Sequence, residues 1–184
     1  ITQKSNWKKQ IIEFLNVRKN LSGIIYCLSR KKTEEVSYFL NNYGFNTSPY
    51  HAGLDGELRK KIQDKFMTEE AYIVVATIAF GMGIDKPDVR FVIHLNLPGS
   101  IESYYQEIGR AGRDGKPADT LLIYGLDDLI IRRKMIEKSD SNKNYKFYEN
   151  KRLDYLLSYC ESPECRRKTL LGYFDDTSNS CGNC

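Results

Sequence analysis

The chain has 184 residues, 41% of them hydrophobic, 28% charged and 12% aromatic, with five prolines. That composition fits one ordinary domain with a small appendage and excludes a long disordered tail or a fibrous repeat. Lys and Arg number 28 against 24 Asp and Glu, a net charge of +4, too small a balance for charge alone to announce a nucleic-acid partner. No run approaches the roughly 18 apolar residues of a membrane span, and Ile1 opens no signal-peptide pattern, so a soluble protein without a membrane role is expected. Because it begins with Ile1 and ends with Cys184, the chain is expected to be a fragment of a longer protein.

From about residue 10 to 125, short β-branched runs alternate with longer amphipathic stretches, the pattern of α/β units around a mostly parallel sheet. In chain order the spacing predicts a helix over Trp7 to Val17, a strand over Gly23 to Cys27 and a helix over Thr33 to Asn42 that Gly44 stops. A short strand follows over Asn46 to Tyr50, then a helix over Leu58 to Met67 and a strand over Ala71 to Ala76. The strand Val89 to His94, the helix Ser100 to Ile108 and the strand Thr120 to Tyr124 complete the alternation. Beyond Asp127 the strand signal disappears. Helices are predicted over Asp127 to Lys138, Tyr145 to Tyr159 and Cys165 to Phe174, with Ser139 to Asn142 as linker. Basic triplets begin at Arg30, Arg59, Arg132 and Arg166, and they line a phosphate-tracking surface only if the fold gathers them.

Two stretches carry chemistry. The first runs from Gln106 to Gly115, QEIGRAGRDG, a helix entering a glycine-rich loop with Arg110 and Arg113 three apart. That spacing puts both guanidiniums on one side of a helical turn, free to meet a planar charged ligand. Such a group suits phosphoryl transfer, where an arginine at the transferred phosphoryl oxygens is worth roughly 10³ to 10⁵ in rate. The second, ATIAFGMGIDKP over Ala76 to Pro87, follows a buried-looking strand. It can present backbone N–H groups and the Thr77 hydroxyl to phosphate oxygens, leaving Asp85 to hold a ribose hydroxyl or to order the arginine loop.

Together with IIYCLSRKKT from Ile24 and YHAGL from Tyr50, these stretches resemble the second motor domain of superfamily 2 helicases. AFGMGIDKPDVRFVIHLNLP and SYYQEIGRAGRDG resemble the RecQ family of DNA helicases. The resemblance implies a RecA-like parallel sheet flanked by helices over residues 1–130, followed by a small helical zinc-binding subdomain over 131–184. It implies Arg113 as the finger reaching ATP on the other motor domain, Arg110 as its partner at the ATP cleft and in coupling to DNA, and Gln106 as a residue that helps position them. Asp85 and Gly83 fall where nucleotide and finger approach. Thr77, Ser29, Arg30, His51 and Gly53 fall where relatives track the nucleic-acid backbone, contacts that position a strand without reading bases.

The implied whole is an ATP-dependent 3′-to-5′ DNA helicase acting on single strands and duplex junctions. It would be cytoplasmic or nucleoid-associated in a bacterium and nuclear in a eukaryote. The phosphate cradle G-x-x-x-x-G-K-[ST] is missing: Lys116 is followed by Pro117, and Arg110 stands where the first glycine belongs. No DExH stretch supplies a Mg²⁺ ligand. ATP with Mg²⁺ is therefore expected to sit mainly on an N-terminal RecA-like domain of the same polypeptide, and this chain alone is expected not to hydrolyse it. The alternative is a non-catalytic nucleic-acid-binding module, or another superfamily 2 translocase or RNA helicase.

Of the five cysteines, Cys27 lies in an apolar strand and reads as a small buried hydrophobe. Cys181-Gly182-Asn183-Cys184 has the C-x₂-C spacing of a zinc site, and Cys165 can supply a third thiolate; a disulfide framework is the alternative. The RecQ resemblance places the ECRR-type cysteine and this pair on a structural Zn²⁺. The fourth ligand is either a residue beyond Cys184 or Cys160.

Overall fold

The computed structural model describes residues 1–81 and 84–182. Gly83 and Cys184, two of the candidate residues, lie outside them. The chain divides into two units, Ile1–Leu97 with Glu107–Asp128, and Pro98–Gln106 with Leu129–Cys184.

The first unit is a six-stranded, all-parallel sheet in the order β1-β6-β5-β2-β4-β3. The strands are β1 (Thr2–Gln3), β2 (Gly23–Tyr26), β3 (Asn46–Tyr50), β4 (Tyr72–Ala76), β5 (Phe91–His94) and β6 (Asp119–Tyr124). Helices α1 (Trp7–Asn16), α2 (Arg30–Asn42) and α3 (Gly56–Thr68) connect the first four. Side chains alternate across the pleat. Ile25, Ile73, Val75 and Ile93 join Ile11 and Leu15 of α1 and Val36 and Leu40 of α2 on one face. Ile24, Val74, Ala76 and Val92 join Ile62 and Phe66 of α3 on the other. Both faces are covered, which is why β2, β4 and β5 read as unbroken apolar runs.

Sequence and structure differ most at the helix starts. α2 begins at Arg30, three residues before the predicted Thr33, because Ser29 is its N-cap and accepts from the Lys32 amide at 3.2 Å. α3 likewise begins at Gly56 behind the Asp55 cap. β1 is absent from the sequence-based prediction: two residues carry no periodicity. It is anchored by Lys4, which donates to the buried Asp128 carboxylate at 2.5 Å, a group that also accepts from Asn96 and the Gly125 amide.

The second unit is helical. It comprises most of α4 (Ile101–Ile108), most of α5 (Leu126–Lys138), α6 (Lys143–Glu161, capped by Asn142) and α7 (Arg166–Tyr173). Leu153, Leu156 and Leu170 are buried, and Tyr104 packs on Tyr159 with ring centroids 5.7 Å apart. Tyr173 donates to Glu102 at 2.8 Å. Partial burial works to raise the Glu102 pKa, but hydrogen bonds from Ser100, its own backbone and Tyr173 outweigh it and hold the carboxyl below its usual range. No helix among the described residues is long and apolar enough to cross a membrane.

Candidate functional site

In a parallel sheet all strands deliver their carboxyl ends to one edge, and here the register aligns Tyr26, Tyr50 and Ala76, the last residues of β2, β3 and β4. The segments that follow carry five candidate residues. Ser29 and Arg30 open α2 after β2, His51 and Gly53 follow β3, and Thr77 follows β4 with its amide donating to the Tyr50 carbonyl at 3.1 Å. Arg30 lies against Gly53, where a Cβ would stand 2.8 Å from the guanidinium. Ser29 and Arg30 are exposed. His51 is 4% exposed, with Nε2 paired to Glu34 at 3.1 Å. The resulting edge offers a helix N-terminus, an arginine and a threonine, a set suited to phosphate oxygens, while His51 is buried behind it on Glu34.

The arginine loop folds onto the loop that follows β4. Arg110 donates to the Gly81 carbonyl at 2.5 Å, and a Cβ on Gly81 would stand 2.6 Å from the same guanidinium. Arg110 Nε is buried without a hydrogen-bond partner, an orphan donor of the kind a bound oxyanion satisfies. Arg113 donates to Asp85 at 2.5 Å and to the Ile84 carbonyl at 3.2 Å. The Asp85 side chain is 82% exposed, so this pair sits in water, where an ion pair contributes little and exchanges readily for a phosphate. Gln106 is exposed on α4 in the second unit.

Arg90, which sequence reasoning missed, ties the two loops together. It donates to the carbonyls of Pro87, Asp88 and Pro117 and to the Asp114 carboxylate at 2.6 Å. Gly112 completes the turn at φ +67°, where a Cβ would also meet the Lys116 carbonyl at 2.9 Å. The Arg90 hydrogen bond holds the Asp114 carboxyl below its usual range. A depressed carboxylate stabilises the fold above its unfolded pKa of about 3.9, and that contribution is lost as pH falls through the lower folded value. Hydrogen-exchange protection of the Gly112 and Asp114 amides is therefore expected to persist from pH 7 down to about 4 and to weaken only below it. Loss of protection already near pH 6 contradicts the clamp.

In the second unit Cys165 is the N-cap residue of α7, and its Sγ lies 3.5 Å from that of Cys181, with no disulfide between them. Two thiolates on one tetrahedral zinc, each about 2.3 Å from the metal, stand about 3.8 Å apart. The donor pair thus fits a zinc ion. Cys160 is buried in α6, and burial pushes its thiol up to about 12. Among the described residues, no third Cys, His, Asp or Glu completes a metal cluster.

A family model for the helicase conserved C-terminal domain matches residues 6–115. The chain belongs to that family. A second model, RecQ zinc-binding, matches residues 126–184 of the same helicase lobe. A RecQ-like DNA helicase of Caenorhabditis elegans is 47% identical over 165 residues, 88% of this chain and 17% of that protein. An ATP-dependent DNA helicase RecQ of Haemophilus influenzae is 42% identical over 186 residues, 100% of this chain and 30% of its own length. The lobe is thus of RecQ type, and it spans less than a third of these relatives. Among solved structures, domain 2 of the DEAD-box helicase Mss116p, bound to an RNA duplex, superposes with a TM-score of 0.60 at 19% identity. That match covers 92% of this chain and 70% of that one, and it shows a shared RecA-like fold.

Proposed function

We propose that this lobe completes the ATP site and part of the DNA track of an ATP-dependent helicase that moves 3′ to 5′ and separates duplex strands. The observation that carries the reading is the seating of Arg110 on the Gly81 carbonyl and of Arg113 on Ile84 and Asp85. ATP with Mg²⁺ binds mainly on an N-terminal RecA-like domain of the same polypeptide. Arg113 leaves its solvent-facing pair with Asp85 to meet the transferred phosphoryl group, and Arg110 holds the cleft beside it, with Gln106 and Gly83 in supporting positions. Ser29, Arg30, His51, Gly53 and Thr77 grip the backbone of one DNA strand.

Residues 1–130 form the motor domain and 131–184 a zinc-binding subdomain. When zinc is bound, it fixes the start of α7 to the C-terminal segment, held by Cys165, Cys181 and Cys184 with a fourth ligand other than Cys160. Four protein ligands leave no open position, so the metal is structural.

Unwinding by the intact protein tests direction and substrate together. Duplexes with a 3′ single-stranded tail are expected to be opened in the presence of ATP and magnesium, and those with a 5′ tail left closed. Equal opening of both, or opening of neither, contradicts the reading.

A further inference from the structure

Behind the arginine loop lies a buried polar network that the site described above does not use. His94, at the end of β5, is 2% exposed, and its Nε2 meets the Glu107 carboxylate at 2.7 Å; Glu107 is 7% exposed. The Tyr26 ring stacks on the His94 ring, centroids 5.1 Å apart and planes 23° from parallel. The Tyr26 hydroxyl donates to the Phe80 carbonyl at 3.0 Å, and the Arg110 guanidinium lies beside it. Burial holds that hydroxyl protonated, well above the ordinary tyrosine range, against the opposing Arg110 charge. Arg110 in turn holds the Gly81 carbonyl and sits three residues after Glu107, in the turn that follows α4.

The network therefore closes on itself through four segments: β2, the loop after β4, β5 and the end of α4. Two of these lead directly to the proposed strand-gripping edge, since Tyr26 precedes Ser29 and Arg30 by one short step and Phe80 follows Thr77. The other end is Arg110. A buried acid and imidazole in this position are a poor means of raising stability, because desolvation offsets most of their attraction. What such a pair does supply is a fixed placement of the end of α4 against the end of β5.

Resting on the function proposed above, we infer that His94 and Glu107 are positioning residues that couple DNA occupancy of the β2–β4 edge to the setting of Arg110 at the ATP cleft. A strand that shifts Arg30 or Thr77 moves Tyr26 and the Phe80–Gly81 carbonyls. The His94–Glu107 pair converts that movement into one defined placement of the end of α4 and of the turn after it that carries Arg110. The pair touches neither ATP nor DNA.

The test is ATP turnover by the intact protein, without and with saturating oligothymidylate, in the natural sequence and in Glu107→Ala, Glu107→Gln and Tyr26→Phe. Glu107→Ala is expected to cut the DNA-stimulated rate about tenfold or more, roughly one unit of log rate for each 1.4 kcal/mol of lost positioning. Basal turnover and the KM for ATP change little. Glu107→Gln retains a hydrogen-bonding partner for His94 and is expected to recover most of the stimulation. Tyr26→Phe keeps the stack and the fold while removing the hydroxyl that meets Phe80 and Arg110, so it loses stimulation in part even if Glu107→Ala folds poorly. Basal and stimulated rates falling by the same factor, or an undiminished stimulation ratio in both Glu107→Ala and Tyr26→Phe, overturns the inference. Arg113→Ala runs alongside: if it leaves turnover intact, the proposed function itself fails, and the coupling falls with it.

Discussion

Arg113→Lys is expected to lower ATP turnover by the intact protein by about 10³-fold, the lower end of what an arginine finger contributes. Affinity for single-stranded DNA should stay within roughly twofold, because the net positive charge facing the phosphates is unchanged. A guanidinium presents a planar fork that meets two oxygens of a transferring phosphoryl group at once, whereas an ammonium is a single point charge on a flexible stem. In the present structure Arg113 donates from Nη1 to Asp85 and the Ile84 carbonyl and from Nε to the Gly109 carbonyl, so its guanidinium is held in one orientation at the loop. Steady-state turnover and a fluorescence-anisotropy titration with a labelled oligonucleotide check the two halves. A lysine variant that turns over ATP at the natural rate removes Arg113 from the cleft, and a variant that loses DNA binding in proportion to turnover assigns it to the strand track.

The second large effect concerns the helical unit. Cys165→Ser, or removal of metal by a chelator, is expected to abolish binding of one equivalent of zinc and to melt the region around α7. Structural zinc contributes on the order of 10 kcal/mol to the folding of small domains. The apolar anchoring of this region is slight: Leu170 is the only buried side chain of α7, its polar ties run from Arg166 to Ser162 and from Tyr173 to Glu102, and the Cys165–Cys181 approach ties its start to the C-terminal segment. The parallel-sheet unit carries its own two apolar clusters and should keep its hydrogen-exchange protection. Metal analysis, with exchange read peptide by peptide, shows both. One equivalent of zinc retained by Cys165→Ser, or unchanged protection across α7 after chelation, contradicts the assignment.

The parallel sheet was legible because its strands are buried on both faces. Runs such as Tyr72 to Ala76 declare themselves without alternation, and the glycine-rich stretches after them read as loops at the strand ends. Helix starts were less so: a cap such as Ser29 acts through one side-chain bond, and periodicity begins only where the helix meets the core at Thr33. The arginine and cysteine candidates were legible as motifs, since their chemistry lies in short sequence spacings. Arg90, Tyr26, His94 and Glu107 were not. Arg90 meets Asp114 across 24 residues, and His94 meets Glu107 across 13; neither encounter exists until the order of β2, β5 and β6 is fixed. One signal was available for Glu107. An acid three residues before Arg110, on a helix whose apolar face must be buried, already called for a buried partner.

The most direct measurement is ATP hydrolysis by the intact protein, with and without single-stranded DNA, comparing the natural sequence with Arg113→Ala. DNA-stimulated turnover is expected in the natural protein, and Arg113→Ala is expected to abolish it while sheet fold and zinc content survive. DNA-independent turnover that survives Arg113→Ala contradicts the proposed function, and no turnover in the natural protein contradicts it in favour of a nucleic-acid-binding module without a motor.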